Sequence, residues 1–188
     1  MDSRRAVLVW LPDQVVPGYA FPADDVRLSD GVDECTDADL AGYVQVDWNA
    51  AERWFEEEEE VVGHPRDPFH RIDIRQSSRH VVVALEGEVI AESRRATLLF
   101  ETFLPVRYYM PREDVRMDLL ESTAKQTTCA YKGHASYFSA AAAPDIAWTY
   151  LEPLPDAEQI RGLIAFFNER TEMTVDGEQQ ERPTTEWS

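Results

Sequence analysis

The sequence predicts an all-β or β-dominated protein, a tandem pseudo-repeat of two small β modules with few short helices. Three observations carry that expectation. Apolar segments are strand-length and rich in β-branched and aromatic residues, helical periodicity is scarce, and blocks of the first half return in the same order in the second.

Taken in chain order, AVLVW (6–10), YVQVDW (43–48), HRIDIRQ (70–76), ATLLFETF (96–103), ASYFSA (135–140), GLIAFFN (162–168) and TEMTV (171–175) read as strands. RHVVVALEGEVIAES (79–93) reads as a hairpin, with Glu-Gly at its turn between two apolar runs. Helical signals are limited to ADDVR (23–27) and REDVR (112–116), each a single turn after a proline, and to PDAEQIRGL (155–163), which opens on Pro and acidic residues.

Ala6–Trp10 aligns with Ala96–Phe100 at an offset of 90, and VVPGYAFPADDVRL (15–28) aligns with LPVRYYMPREDVRM (104–117) at 89. Cys35, Tyr43 and Trp54 then fall 94 before Cys129, Tyr137 and Trp148, and LEGE (85–88) falls 90 before VDGE (175–178). Pro22/Pro111, Asp25/Asp114 and Arg27/Arg116 match in identity, which alternating polarity alone does not require. The expected organisation is a first module over 1–78, a second over 79–178 and a flexible tail over 179–188, with the 79–93 hairpin fitting either module.

With 36 acidic and 18 basic side chains the net charge is −18, which repels phosphate backbones and anionic lipid surfaces. Neither nucleic acid nor membrane is an expected partner. No run approaches the roughly 20 apolar residues that span a bilayer, and the start MDSRRAVLVWLPDQ turns polar too early for a signal peptide. A cytoplasmic, soluble protein is expected. Cys35 and Cys129 cannot form a disulfide framework and are read as reduced thiols. EEEEE (56–60) and the tail GEQQERPTTEWS (177–188) are expected to be solvated.

Polar and aromatic groups concentrate in residues 98–138, where Glu101, Arg107, Tyr108, Tyr109, Asp114, Arg116, Cys129, Tyr131, Lys132, His134 and Tyr137 occur in one stretch. Set in apolar surroundings, such groups hold a ligand by hydrogen bonds and stacking, or they pair to pin loops: Arg107 and Arg116 with Glu101 and Asp114. The repeat separates the two. Asp25/Asp114 and Arg27/Arg116 occur in both halves and suit a structural task. Glu101, Arg107, Tyr108 with Tyr109, and Tyr131-Lys132-Gly133 have no likeness in the first half, which offers Pro12 or Asp13, Gly18, Tyr19-Ala20 and Asp37-Ala38-Asp39. Cys129 lies near Tyr131, Lys132 and His134, a setting that lowers a thiol pKa, whereas Cys35 lies among acids; a structural cysteine in both halves is the simpler account. His64, Asp67, His70 and His80 gather in the first half, but neither H-E-x-x-H nor paired C-x-x-C occurs, so no metal site is expected. Trp54 and Trp148 read as core residues, with an aromatic pocket wall as the alternative.

The run SSRHVVVALEGEVIAESRRATLLFETFLPVRYYMPREDVRM, followed by CAYKGHASYF and AWTYLEPLP, resembles the domain of unknown function 427 family over residues 76–178, and the upstream segment resembles its longer, two-part members. Glu101, Arg107, Tyr108, Tyr109, Pro111, Asp114, Cys129, Tyr131, Lys132, Gly133, Tyr137 and Trp148 match the family motif; Ala130 stands where members often carry Pro. The resemblance implies a compact, mostly β fold, by analogy akin to β-tent architectures. The nucleotidyltransferase label sometimes attached to the family finds no Gly-Ser loop with paired aspartates here.

The leading functional expectation is a small-molecule or anion-binding module. Arg107 and Lys132 are its charge partners, Glu101 a further polar contact, and Tyr108, Tyr131, Tyr137 and Trp148 its aromatic walls. The alternatives are an enzyme with Glu101 as acid or base or Cys129 as nucleophile, and an acidic interaction scaffold. Whether it is an enzyme, and with which cofactor, stays open at this stage.

Overall fold

A computed structural model describes residues 6–9, 17–28, 30–141 and 143–188. Trp10, Pro12, Asp13, Val15 and Val16, all named in the repeat alignment, lie outside the described residues. The protein is strand-dominated, and the chain divides into two compact units, Met1–Phe69 and His70–Ser188. Among the described residues no helix is long and apolar enough to cross a membrane.

In the first unit, strands β1 (Val7–Val9), β2 (Gly18–Pro22), β3 (Val32–Glu34) and β4 (Tyr43–Val46) form an antiparallel sheet in the order β1-β2-β4-β3. A separate hairpin pairs β5 (Trp54–Glu56) with β6 (Glu59–Val61). Tyr19 and Phe21, two apart on β2, join Val46 and Trp54 in a small core. Trp54 is buried, stacks on Trp48 at 5.0 Å and on Tyr19 at 5.4 Å, and donates its indole N–H to the Trp48 carbonyl at 2.8 Å. It is a core residue of this unit, as expected. The glutamates of the 56–60 run are exposed, with Glu60 paired to Arg53.

The second unit holds three antiparallel sheets. β7 (Ile72–Gln76), β10 (Thr97–Glu101) and β11 (Arg107–Tyr109) lie in the order β11-β10-β7. β8 (Val81–Leu85) and β9 (Glu88–Ser93) form the expected hairpin and join β16 (Glu172–Val175) and β17 (Glu178–Gln179) as β17-β16-β8-β9. β12 (Glu121–Cys129), β13 (Gly133–Ala140), β14 (Ala143–Thr149) and β15 (Ile164–Phe166) follow one another as a meander. The expected helices are 3-10 segments, at Ala23–Asp25, Arg112–Asp114 and Pro155–Ile160. All three sheets contribute to one large core, including Val83, Leu99, Tyr109, Trp148, Ile164 and Met173.

The division between units falls before residue 78, because β7 pairs along β10 from Ile72↔Glu101 to Gln76↔Thr97 and so belongs with the second unit. The hairpin 79–93 belongs there too, through the β8–β16 pairing. Residues 179–188 are tied down along their length: the Gln180 N–H donates to the Met173 carbonyl at 2.8 Å, Arg182 Nε donates to the Thr171 carbonyl at 3.1 Å, the Thr185 hydroxyl donates to Glu169 at 2.7 Å, and Trp187 packs against the main core.

Residues aligned between the halves occupy like registers where strands β1 and β2, and β10 and β11, are paired. Leu8↔Tyr19 and Val9↔Gly18 stand where Leu98↔Tyr108 and Leu99↔Arg107 do. The following proline has φ near −53° in each, and a 3-10 turn comes after it. Further on the units differ: Tyr137 pairs with Trp148, whereas Tyr43 pairs with Pro22 and Trp54 with Val61. LEGE and VDGE are the turns of two hairpins within one sheet of the second unit, each with its central pair in the left-handed region.

Glu101, Thr102, Phe103 and Leu104 make a turn closed by the Leu104 N–H on the Glu101 carbonyl at 3.0 Å. Phe103, its third residue, has φ +65° and is 99% exposed, although this is the position where such turns favour Gly. Phe103→Gly removes the Cβ clash and no packing, and is expected to raise stability by about 1 kcal/mol, read as a higher denaturant midpoint at unchanged slope.

Candidate functional site

Glu101 ends β10 with its side chain on the face shared by Leu99, which lies opposite Arg107, and by Tyr109 on β11. His70 comes from the chain just before β7, held against the end of β10 by the Arg71 N–H on the Thr102 hydroxyl at 3.0 Å and the Thr102 N–H on the Arg71 carbonyl at 3.1 Å. Lys132 sits in the loop between β12 and β13. That loop is fixed by the Leu154 N–H on the Lys132 carbonyl at 3.1 Å and by Gly133, which has φ +94° and whose missing Cβ would stand 3.3 Å from the Glu152 carbonyl. Gly133 therefore serves both a left-handed backbone and a close approach.

These three segments converge. The Lys132 ammonium donates to Glu101 Oε2, and His70 Nε2 lies 3.2 Å from Glu101 Oε1. Lys132 and Glu101 are nearly closed off, with side chains 8% and 7% exposed, while His70 reaches the surface at 21%. The His70 ring stacks on Tyr131 at 4.4 Å, fixing its plane. The carboxylate thus takes one donor on each oxygen, and the cluster presents a half-exposed imidazole beside an aromatic face.

Arg107 is spent elsewhere on the same sheet face. Its guanidinium makes a two-pronged pair with Glu169, both contacts 2.7 Å, with side chains 6% and 0% exposed. Trp148, Phe167 and Trp187 surround it, their ring centres 5.5, 5.8 and 5.6 Å from the guanidinium carbon. Burial pushes the Glu169 carboxyl up, but the hydrogen bonds from Arg107, Thr185 and the backbone outweigh it and hold the group below the usual carboxylate range. Arg107 is therefore not an open charge for a ligand, and Glu169, not Glu101, is its partner. Arg116 likewise pairs with Asp118, and Asp114 with Arg95 and Ser93, which anchor the turn after Pro111 to the end of β9.

The remaining expected site residues occupy other surroundings. Tyr108 points to the opposite side of β11 from Arg107 and lines a hollow of about 200 Å³ with Pro105, Val106, Met173 and Pro183. Tyr137 shares a hydrogen bond of 2.8 Å with Thr127 and lies under the Lys125 ammonium at 4.7 Å. Trp148 is a core residue whose indole N–H donates to the Tyr109 hydroxyl at 3.0 Å. Burial drives the Tyr109 phenol above the ordinary tyrosine range, the Trp148 hydrogen bond opposes this, and the charges of Glu101 and Arg107 and the Cys129 thiol act on it electrostatically.

Cys129 and Cys35 are both half-buried free thiols. Burial, then Asp37, pushes the Cys35 thiol up. The histidines that gather in sequence separate in space. His64 contacts the Pro65 carbonyl, His80 contacts Glu92 at 2.7 Å, and only His70 reaches the cluster. Among the described residues no three His, Cys, Asp or Glu side chains are placed to hold a metal ion.

His70, Glu169, Trp187 and Thr185 were absent from the expected site. Nothing local marks them, because His70 lies 31 residues from Glu101 and Glu169 lies 62 from Arg107. No curated protein matches the chain. The profile of the family described as a domain of unknown function (DUF427) matches residues 73–177, the stretch that supplies both strands of the ion-paired sheet face, the Lys132 loop and Glu169, so that this chain, matched over more than half its length, belongs to that family.

Proposed function

We propose that the second unit is a small-molecule-binding module whose polar site is the Glu101–Lys132–His70 cluster, walled by Tyr131. The observation that carries this reading is the nearly closed Glu101–Lys132 pair. Withdrawing two charges from water offsets much of their attraction, and apolar residues of similar volume would hold a β core as well or better. A pair kept at that cost, next to a half-exposed imidazole and an aromatic face, suits recognition of a ligand. Lys132 is neutralised by Glu101 and Arg107 by Glu169, which favours uncharged or zwitterionic ligands over simple anions. The first unit, read as a diverged copy, has Gly18 where the second has Arg107 and supports the fold without the site. The acidic charge and the two free thiols fit a cytoplasmic setting.

A thermal-shift screen of nucleotides, sugar phosphates, neutral metabolites and divalent metals tests the reading. A compound at about 100 times its Kd adds roughly 2.7 kcal/mol to the stability of the native state. The expected result is a compound that raises the melting temperature of the wild type and has no effect on the Glu101→Leu/Lys132→Met variant. A ligand that stabilises both proteins equally overturns it.

The 3.2 Å contact between His70 Nε2 and Glu101 favours a second reading, acid–base catalysis by an imidazole that a carboxylate orients. The two readings part on the fate of the ligand: recovered unchanged after long incubation in the first, converted in the second.

A further inference from the structure

The hollow of about 200 Å³ on the other side of β11 is enclosed by four stretches of chain. Val106 and Tyr108 come from the start of β11, Asn168 from the turn after β15, Met173 from β16 and Pro183 from the tail. The tail wall is fixed by the Gln180 N–H on the Met173 carbonyl at 2.8 Å and by Arg182 Nε on the Thr171 carbonyl at 3.1 Å. Tyr108 is 8% exposed, and among the described residues its hydroxyl has no hydrogen-bond partner. The unpartnered side-chain atoms sealed from solvent are Thr149 Oγ1 and Asn168 Oδ1, so the Tyr108 oxygen is still within reach of one. Asn168 belongs to the same wall: its Nδ2 donates to the Val106 carbonyl at 3.0 Å, while its oxygen meets no donor. Tyr19, in the like register of the first unit, instead donates its hydroxyl to Glu56. A phenylalanine would fill the Tyr108 position without stripping a hydroxyl of water, and native proteins keep few buried polar groups unpaired.

We infer that this hollow is a second binding site, which takes an uncharged compound of one aromatic ring whose carbonyl oxygen accepts a hydrogen bond from the Tyr108 hydroxyl. It does not depend on the Glu101 cluster. Size sets the single ring: an apolar cavity of about 150 Å³ holds a benzene, so this hollow admits a ring with a short head. The Met173 thioether and the Tyr108 ring both favour an aromatic partner. The charged residue of the lining is Glu181, an exposed carboxylate, so an anion would leave water with no cation to meet it. A solvated carboxylate also holds a cation only weakly, which leaves the uncharged class. The Asn168 oxygen is closed to solvent, so the contact is assigned to Tyr108 alone.

The probes are acetophenone, ethylbenzene, which has the same ring and nearly the same shape without the acceptor, and benzoate, whose head is an anion. The full chain, labelled at its methionine methyl groups, is titrated by NMR at millimolar probe concentrations. Met173 lines the hollow and Met110, fully buried elsewhere in the core, does not, so the two methyls separate binding there from a change elsewhere. Acetophenone is expected to shift the Met173 signal saturably and leave that of Met110 in place, with benzoate weaker by about tenfold or more. Tyr108→Phe removes an oxygen that bonds nothing among the described residues. It should weaken acetophenone by about fivefold, leave ethylbenzene unchanged and melt no lower than the wild type.

Acetophenone that leaves the Met173 methyl unmoved, or moves it and Met110 alike, overturns the site. A Tyr108→Phe protein that loses acetophenone and ethylbenzene equally, or neither, overturns the hydroxyl contact. Benzoate binding as tight as acetophenone overturns the uncharged class. A Tyr108→Phe protein that melts lower shows a structural hydroxyl and overturns the inference.

Discussion

Replacing Glu169 with Ala is expected to cost the second unit about 3–5 kcal/mol, because it leaves the Arg107 guanidinium buried among Trp148, Phe167 and Trp187 with no counter-charge. The aromatic faces attract the cation, but each such contact contributes only about 0.5–2 kcal/mol and does not replace a two-pronged carboxylate. Thr185 loses its acceptor at the same time, so the docking of the tail weakens with the pair. Chemical denaturation of the full chain, followed by tryptophan emission, measures the loss; a change under about 1 kcal/mol would show the pair to be dispensable.

The pH dependence carries the same signature. The folded Glu169 carboxyl titrates below its unfolded value, so its contribution is complete above the unfolded carboxylate range and disappears as pH falls through the depressed folded value. Glu169→Gln lacks that contribution at every pH. The stability gap between wild type and Glu169→Gln is therefore widest near neutrality and closes on acidification. A gap that widens in acid contradicts the assignment.

The Glu101–Lys132 pair separates stability from recognition. Lys132→Ala strands a nearly closed carboxylate, with only the His70 contact left, and is expected to cost about 3–5 kcal/mol. Glu101→Leu combined with Lys132→Met fills similar volume with apolar groups and is expected to be neutral or stabilising by about 1–4 kcal/mol. Melting curves of the two proteins check this. A double variant as unstable as Lys132→Ala means the pair is a structural requirement, and the argument that it is retained for a ligand falls.

Much of the architecture was legible in the sequence, since period-two alternation and turn chemistry are local. The hairpin at 79–93, with its Glu86-Gly87 turn, and the turns after Pro22 and Pro111 lie where the residues placed them. The boundary between units was not legible. Residues 70–78 read as a strand, but which sheet takes that strand depends on a partner about 25 residues away in β10.

For the site, the sequence supplied the inventory and misjudged the pairings. Glu101, Arg107 and Lys132 stand out because the first half lacks them, a comparison that needs no coordinates. Their partners are another matter. Arg107 was matched with Glu101 by proximity along the chain, yet strand alternation and the turn after β15 deliver Glu169 to it. Tyr108, expected as an aromatic wall beside Arg107, faces the opposite side of β11 and lines a separate hollow.

By itself the sequence determined the β class, the turns, the two-part character, the charge and the residues rich enough in chemistry to form a site. Only the tertiary structure decided which of those residues meet: Glu101 with Lys132 and His70, and Arg107 with Glu169. The physical reason is range. Turns and pleats are set by neighbours one to four positions apart, whereas ion pairs and buried hydroxyls are set by sheet register, which brings together groups 31 and 62 residues distant.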